Sequence, residues 1–235
     1  MFAQWIITPQ KVSPMRLAVF NGSPRKKAGN TQILLEKFAE GYKSIDSDVL
    51  FGAYLKDMQK AGENVKAFKE ADIIVIGFPL YTDAMPGVVK YFFEKLWLEK
   101  PLSGKKLGFI VQSGFPEAIH STFVEKYLER FTENLGCEYL GTIIKGGGEA
   151  IRQTPEKSNR KLFDYFRKLG KELARNQQFN QDILQELKKT YMFSPAVRFV
   201  FRVIRPMGLF DRYWNKELKK NNAFEKRYDA PYSGS

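Results

Sequence analysis

The stretch RLAVFNGSPRKKAGNT, residues 16–31, holds the pattern from which the fold is predicted. An apolar run is followed by an Asn-Gly-Ser-Pro turn, by three consecutive cations and by an Asn-Thr pair typical of a helix start. We interpret this order as a buried strand, a tight turn and a helix. Taken alone, the turn is equally compatible with a phosphate site at the helix N-terminus and with a solvated basic turn.

The same alternation repeats along the chain. The β-branched run DIIVIG, residues 72–77, is typical of a parallel strand that is buried on both faces. Strands are predicted at residues 16–20, 48–55, 72–77, 106–112 and 138–145. Helices are predicted at residues 30–41, 56–70, 86–97, 120–135 and 155–177. The first is capped by Asn30 and stopped at Gly41, and the second is broken near Gly62. This alternation predicts an α/β fold with a doubly wound five-stranded parallel sheet of order 2-1-3-4-5.

Composition limits the class of protein. The 235 residues are 43% hydrophobic and 14% aromatic, which is enough for a packed core. The single cysteine, Cys137, excludes an intramolecular disulfide and a cysteine zinc site, and it favours a reducing, cytoplasmic compartment. No apolar run reaches the ~18–20 residues that span a bilayer. The net charge of +12 favours an anionic partner of some kind.

Three regions are predicted along the chain. Residues 1–14 are interpreted as an N-terminal arm or as the result of a mis-assigned start codon, because the sequence from Met15 onward is a normal beginning for a cytosolic domain. Residues 15–178 form the sheet domain. Residues 179–235 form a basic, aromatic C-terminal helical extension that carries +5 of the net charge, and its end, residues 211–235, is expected to be irregular.

In this extension Arg198, Arg202 and Arg205 recur at i, i+4 and i+7 on an otherwise apolar helix. Packing on the protein's own sheet domain or on a second subunit is favoured, with the arginines reaching outward to water. Peripheral contact with an anionic membrane ranks second. A nucleic acid is disfavoured, because apolar residues interleave too densely with the cations for a solvated basic arm.

Ligands of a doubly wound sheet bind at the carboxyl ends of its strands. The segments there are rich in Gly, Pro and small polar residues: NGSPRKKAGNT, FPLYTDAMPG, SGFPEAIH and GGGEA. In the first segment Ser23, Asn30 and Thr31 supply polar donors, and three cations add charge: Arg25, Lys26 and Lys27. The spacing fits neither Walker A nor the Rossmann glycine motif, so a P-loop ATPase and a Rossmann dehydrogenase are disfavoured.

Two of these segments together resemble one known family. GSPR and the following Gly-Asn-Thr, within residues 22–31, are similar to the FMN phosphate loop of the NADPH-dependent FMN reductase and quinone reductase family of flavodoxin-like proteins. PLYTDAMPGVVKYFFEKL, residues 79–96, is similar to that family's P-x-Y-x-x-x-x-P-x-x-x-K segment. The resemblance covers about residues 15–177 and implies a flavodoxin-like fold.

The resemblance implies noncovalently bound FMN, with NADPH or NADH as hydride donor. It assigns the FMN phosphate to Ser23, Arg25, Asn30 and Thr31, with Lys27 beside them. It assigns the isoalloxazine ring to two further groups, which are Pro79, Leu80, Tyr81 and Thr82, and Ser113, Gly114 and Phe115. Because the flavin carries the chemistry, no catalytic protein side chain and no metal are expected.

The implied function is an FMN-dependent NAD(P)H oxidoreductase, a homodimer that passes electrons to a quinone, a flavin or another small acceptor. One alternative is a flavin-binding electron-transfer or sensor protein without turnover, and another is a scaffold with an empty pocket. The segment between the second and third strands contains no cysteine, which excludes the iron–sulfur cluster of related flavoproteins. The basic charge disfavours an acidic carrier of the flavodoxin type.

Four further positions are assigned a role. His120 is expected to begin a helix, with proton donation near the flavin as the alternative. Tyr81 is expected at the flavin rather than against the neighbouring helix, and Cys137 is expected to be a small buried hydrophobe. Residues 146–148 are interpreted equally as a close backbone approach to a ligand or as a flexible strand exit.

Overall fold

A computed structural model describes residues 15–189, 192–204, 208 and 211–230. Its centre is a five-stranded, all-parallel sheet of order β2-β1-β3-β4-β5, which confirms the predicted fold class. The strands are β1 (Leu17–Asn21), β2 (Val49–Phe51), β3 (Ile73–Pro79), β4 (Lys106–Gln112) and β5 (Glu138–Lys145). The helices are α1 (Asn30–Lys43), α2 (Ala61–Glu70), α3 (Gly87–Trp97), α4 (Thr122–Asn134), α5 (Ala150–Gln153), α6 (Arg160–Asn176), α7 (Gln181–Leu187), α8 (Pro195–Ile204) and α9 (Asp211–Lys220).

Helices cover both faces of the sheet. α2, α3 and α4 enclose one core, in which Phe93 and Phe131 stack with their ring centroids 4.2 Å apart. α1, α6 and α7 enclose the other core. Every residue of β3 is buried, because its side chains alternate between the two cores. This double coverage explains why the strand is almost continuously apolar in sequence.

Two glycines allow α1 and α6 to pack closely. A Cβ added at Gly41 would lie 1.9 Å from the carbonyl oxygen of Arg167, and one added at Gly170 would lie 2.0 Å from that of Phe38. The backbone of a packed helix cannot withdraw as a flexible side chain can, so both positions require glycine. The prediction that Gly41 stops the first helix is therefore wrong, because α1 continues to Lys43 and uses this glycine for packing.

Other helix predictions also need correction. The N-cap of α1 is Gly29. Asn30 is the first residue of the helix, and its side-chain oxygen makes no capping hydrogen bond. α2 contains Gly62 and is not broken there. α5 was not predicted, and α9 lies in a segment expected to be irregular. Short helices such as these depend on tertiary packing that periodicity does not reveal.

The chain divides into two compact units, residues 1–191 and 192–235. The first unit extends beyond the predicted boundary at residue 178, since Phe179, Ile183 and Leu184 are buried in the core beneath α1 and α6. The second unit contains α8 and α9. The predicted N-terminal arm and Arg205 of the arginine stripe lie outside the described residues. Within the described part of the chain, no helix is long and apolar enough to cross a membrane.

Candidate functional site

Four loops leave the carboxyl ends of β1, β3, β4 and β5 at one edge of the sheet. We name them the first loop (residues 22–29), the second loop (80–86), the third loop (113–121) and the glycine loop (146–149). β1, β3 and β4 are neighbours, so the first three loops lie side by side. The strand order reverses between β1 and β3, which is where a doubly wound sheet binds its ligand.

Asn21 fixes the shape of the first loop. Its Oδ1 accepts a hydrogen bond from the backbone N–H of Ser23 at 2.8 Å, and its Nδ2 donates to Gln32 Oε1 at 2.7 Å. The N–H of Gly22 donates to the carbonyl of Gly77 at 2.7 Å. The first loop is thereby attached to α1 on one side and to β3 on the other.

Unsatisfied polar groups lie at the start of α1. Asn30 and Thr31 are 3% and 0% exposed, and their Oδ1 and Oγ1 atoms have no hydrogen-bond partner. The backbone N–H groups of the same two residues find no acceptor among the described residues. A Cβ added at Gly29 would lie 2.5 Å from Ser23 Oγ, so glycine keeps this space open. Buried polar groups at the positive end of a helix dipole suit an anion such as phosphate.

The three cations of the first loop have different surroundings. Arg25 donates to Glu149 Oε1 at 3.0 Å, and Lys26 pairs with Asp57 at 2.5 Å. Lys27 is exposed, and its ammonium has no acidic partner among the described residues. The positive charge of the first loop is therefore partly neutralised at Arg25 and Lys26.

Arg152 of α5 also contacts the first loop, and it was not among the residues predicted from the sequence. Its Nη2 donates to the carbonyl oxygens of Lys27 at 2.6 Å and of Gly29 at 3.2 Å. These contacts connect two carbonyls of the first loop to α5. The partners are more than a hundred positions apart in sequence, so no local signal could have found them.

A tight turn forms the tip of the second loop. Tyr81 and Ala84 exchange backbone hydrogen bonds of 2.8 and 3.0 Å, and Thr82 and Asp83 between them have φ angles of 48° and 59°. This is the geometry of a type I′ turn, and a positive φ at the β-branched Thr82 is strained. Among the described residues, the N–H groups of Thr82 and Asp83 have no acceptor. The turn therefore presents two free donors at the edge of the sheet.

The residues predicted to line a ring differ in exposure. The Pro79 and Leu80 side chains are buried, and the Leu80 N–H already donates to the carbonyl of Gln112 at 2.7 Å. Tyr81 and Phe115 are exposed at the edge. The two exposed aromatic side chains come from the second and third loops, and both offer apolar ring surface there.

The third loop is anchored by Ser113, which is buried. Its Oγ donates to the carbonyl of Phe115 at 2.9 Å, and its own carbonyl accepts the N–H of Gly148 at 2.7 Å. A Cβ added at Gly146 would lie 2.3 Å from the carbonyl oxygen of Pro116. The glycines after β5 thus allow a close approach to the third loop, a role that neither interpretation from the sequence had named.

His120 connects the third loop to the second. Its Nδ1 lies 3.1 Å from Asp83 Oδ1, its Nε2 lies 4.0 Å from Glu117 Oε2, and its ring stacks on Phe115 at 4.6 Å. His120 belongs to a short 3-10 turn that precedes α4, close to the predicted helix start. No three His, Cys, Asp or Glu side chains in the described part of the chain are grouped so as to hold a metal ion.

Two polar side chains lie at the strand ends beside the glycine loop, one half-buried and one buried. Burial lowers the pKa of Lys145, whose ammonium donates to the carbonyl of Gly146. Gln112, its register partner on β4, has a buried Oε1 without a hydrogen-bond partner. Neither residue was a predicted site residue, because a single Lys or Gln at a strand end carries no signal in sequence.

Solved structures share this fold at low sequence identity. A NADPH-quinone reductase from P. pentosaceus has a TM-score of 0.52 and 16% identity, over 69% of this chain and 99% of that chain. A FMN-dependent NADH-azoreductase from Bacillus anthracis, in complex with FMN, has a TM-score of 0.54 and 16% identity, over 68% and 99%. A NAD(P)H:quinone oxidoreductase from Methanothermobacter marburgensis has a TM-score of 0.54 and 14% identity, over 68% and 98%. No curated protein sequence matches the chain.

The sequence also matches a family model. The match covers residues 15–123, from β1 to the start of α4, and so includes the first two loops and the third. It confirms the resemblance that the loop motifs indicated, and with it the predictions of an oxidoreductase, of FMN as cofactor and of NAD(P)H as electron donor. Residues 15–123 of this chain therefore match the sequence pattern of the NADPH-dependent FMN reductase family.

Proposed function

We propose that this protein binds FMN at the edge formed by its first three loops and passes electrons from NAD(P)H to a quinone, a free flavin or another small acceptor. The observation that carries the proposal is the set of unsatisfied donors at the start of α1, which are the backbone N–H groups of Asn30 and Thr31 and the buried hydroxyl of Thr31. A phosphate monoester supplies the acceptor oxygens that these groups lack. Ser23 lines the same space, and Arg25 and Lys27 add positive charge.

The isoalloxazine ring would lie between the second and third loops. Tyr81 and Phe115 supply aromatic surface, and the Thr82 N–H is a free donor for a ring nitrogen or carbonyl oxygen. The space beside Gly114 is open to the ring, because a Cβ added there would meet no atom within 4 Å. Bound flavin supplies hydride acceptance and electron transfer, and the residues of this chain position it and exclude water from one face.

The donor and the acceptor would use one exposed face of the ring in turn. The positive charge of the first loop favours approach of the phosphates of NAD(P)H. Quinones and free flavins are flat and conjugated, so they fit the same surface beside Tyr81 and Phe115. This shared face predicts ping-pong kinetics, in which the first product leaves before the acceptor binds.

The visible spectrum of the purified protein tests the proposal. With added FMN we expect flavin bands near ~450 nm that bleach on anaerobic addition of NADPH and return with a quinone or free flavin. Thr31→Val removes the unpartnered hydroxyl at nearly constant volume and should weaken FMN binding at least about tenfold. Thr132→Val, equally buried but in α4, is the matched control and should bind FMN normally.

Each alternative function predicts a different spectrum. An electron carrier or sensor would take up FMN without bleaching by NAD(P)H. A scaffold would not take up FMN at all, which would contradict the proposed site. Equal FMN affinity for Thr31→Val and the parent would place the phosphate elsewhere.

We also propose that the protein is a homodimer through α3 and α4. A groove of about 340 Å³ between these helices is lined by aromatic rings, among them Trp97 and Tyr127, which are exposed. Lys90, Glu94 and Arg130 border the same groove, so its charges suit a second copy that is related by a two-fold axis. Sedimentation of the parent and of Tyr127→Glu should give a dimer and a monomer, and a monomeric parent would contradict the proposal.

A further inference from the structure

Residues 192–235 form a compact unit of their own, and the five-stranded sheet and its helices lie in the other unit. The solved relatives use 98–99% of their own chains but only 68–69% of this chain, about the length from β1 to α6. The family match ends at residue 123. About a third of this protein therefore has no counterpart in those relatives, and its role has to be sought in its own residues.

α8, PAVRFVFRVI, is strongly amphipathic. At about 100° per residue, Arg198 and Arg202 lie together on one narrow side of the helix. Val200 lies near the centre of the opposite side, with Phe199 and Phe201 on its two flanks. None of the described residues of α8 is buried, and the apolar side is exposed, including Phe199 at 64%, Val203 at 56% and Val200 at 49%.

The charge of this unit is positive and in part uncompensated. Residues 192–235 contain nine Lys and Arg against four Asp and Glu, a net charge of +5. Within the described residues, neither Arg198 nor Arg202 has a carboxylate at ion-pair distance. In α9 the last turn adds Lys219 and Lys220. The unit thus combines an exposed apolar helix side with a field that attracts anions.

These two properties together favour one kind of occupant. A second copy of the unit would bring +5 against +5 and would be repelled. A nucleic acid would neutralise the charge but would leave Phe199, Val200 and Val203 in water. An anionic lipid surface accommodates both the apolar side and the positive charge, because its acyl chains surround the apolar side chains and its phosphates lie beside the arginines.

The two flanking aromatic residues support the same choice. Phe199 and Phe201 are two positions apart and project about 200° from each other around the helix. A flat protein surface cannot contact both phenylalanine rings at once. In a helix that lies in the boundary between headgroups and acyl chains, both rings are at the level of that boundary. Ten residues extend for only about 15 Å, so α8 could lie on a membrane and not span it.

We propose that α8 binds the surface of an anionic membrane, with Val200 and Val203 among the acyl chains and Arg198 and Arg202 at the lipid phosphates. Binding holds the oxidoreductase at the surface of the bilayer. Membrane-dissolved quinones would then be close to the flavin site, and this last consequence alone rests on the proposed function. Lipid binding itself requires neither FMN nor an electron acceptor.

Co-sedimentation of the full-length protein with vesicles tests the proposal. We expect binding to vesicles of equal parts phosphatidylcholine and phosphatidylglycerol, weak binding to phosphatidylcholine alone, and release by high salt. Val200→Ser with Val203→Ser, and separately Arg198→Gln with Arg202→Gln, should each weaken binding at least about tenfold. FMN uptake should be unchanged in both, because no residue of α8 is buried.

Matched controls come from the first unit. Ile45→Ser with Met58→Ser removes two exposed apolar side chains, and Arg160→Gln with Arg175→Gln removes two exposed charges. Both pairs should bind vesicles like the parent. The proposal is overturned if the parent does not sediment with anionic vesicles, or if the α8 variants and the controls lose binding equally.

Two further outcomes would assign the unit to another partner. If the valine variant dissociates a dimer in the absence of lipid, α8 is a subunit contact. If the parent binds double-stranded DNA in a gel-shift assay as tightly as anionic vesicles, and the valine variant binds DNA normally, the charge serves a nucleic acid. A failure of FMN uptake in the parent would refute the proposed function and leave the vesicle result standing.

Discussion

His120 Nδ1 lies 3.1 Å from Asp83 Oδ1, and this contact joins the third loop to the second. Asp83 occupies a turn position with a positive φ of 59°, so the contact also stabilises a strained backbone. Both side chains are partly exposed, so we assign the pair a positioning role. The two loops that it connects are those proposed to enclose the flavin ring.

The first prediction concerns this pair. Asp83→Ala and His120→Ala should each raise the FMN dissociation constant about threefold, because either change frees the second loop from the third. The double variant should bind FMN no more weakly than the single variant with the lower affinity, which corresponds to a coupling energy of about 0.6 kcal/mol for an exposed pair. Titration of flavin fluorescence over the double-mutant cycle measures it.

The exposed pair Lys66–Glu70 on α2, at 3.8 Å, provides the control. Its removal should leave FMN affinity unchanged. Additive effects of Asp83→Ala and His120→Ala would show that the two residues act independently, and the connection between the loops would then have no role in flavin binding.

The strands were largely predictable from the sequence, for a physical reason. β4 and β5 have the predicted bounds, and β1 and β3 differ from them by no more than two residues. The residues of β1, β3 and β4 are buried on both faces or nearly so, which forces continuous apolar runs that stand out in sequence. The edge strand β5 still buries four of its eight residues. β2, the other edge strand, is shorter than predicted, because it has no buried residue and lacks this constraint.

The site was predictable only where neighbours in sequence are also neighbours in space. The first and second loops carry motifs, so Ser23, Thr31 and Tyr81 could be proposed as candidates from the sequence. Arg152 and His120 act through partners that are far away in the chain. No local pattern encodes such contacts, which is why Arg152 was missed and why the contact between His120 and Asp83 was not predicted.

The second prediction tests the space beside Ser23. Gly29→Ala would place a methyl group 2.5 Å from Ser23 Oγ, so it should weaken FMN binding at least about tenfold by displacing that hydroxyl or by filling the phosphate position. Gly87→Ala, also at a helix start, meets no atom within 4 Å and should bind FMN like the parent. Equal affinities for both variants would place the phosphate outside this space.

The third prediction tests the close packing of α1 against α6. Gly170→Ala should lower the free energy of unfolding by about 2 kcal/mol or more, because the new methyl group would clash with the carbonyl of Phe38. Gly62→Ala in α2 has open space around it and should raise stability by about 0.5 kcal/mol through its higher helix propensity. Urea denaturation of both variants gives the comparison, and a neutral Gly170→Ala would show that the two helices can separate at little cost.

The fourth prediction concerns pH and the single thiol. Burial raises the pKa of Cys137 from 9.0 to about 11, and its Sγ lies 3.3 Å from the carbonyl of Leu102. Above pH 9 the unfolded chain therefore loses this proton while the folded protein keeps it. The stability that this group contributes is complete below pH 9 and is lost as the pH rises through 11, with a slope of at most about 1.4 kcal/mol per pH unit.

The measurement compares the parent with Cys137→Ser, which keeps a donor for Leu102 and does not titrate in this range. Lys145 has a lowered pKa and acts in the opposite direction, gaining stability as the pH rises toward 10.5, but both proteins contain it, so its effect cancels. The difference in unfolding free energy between the two should be constant below pH 9 and should then shift against the parent by about 2 kcal/mol up to pH 11. A difference that stays constant over that interval would mean that the Cys137 thiol reaches water in the folded protein.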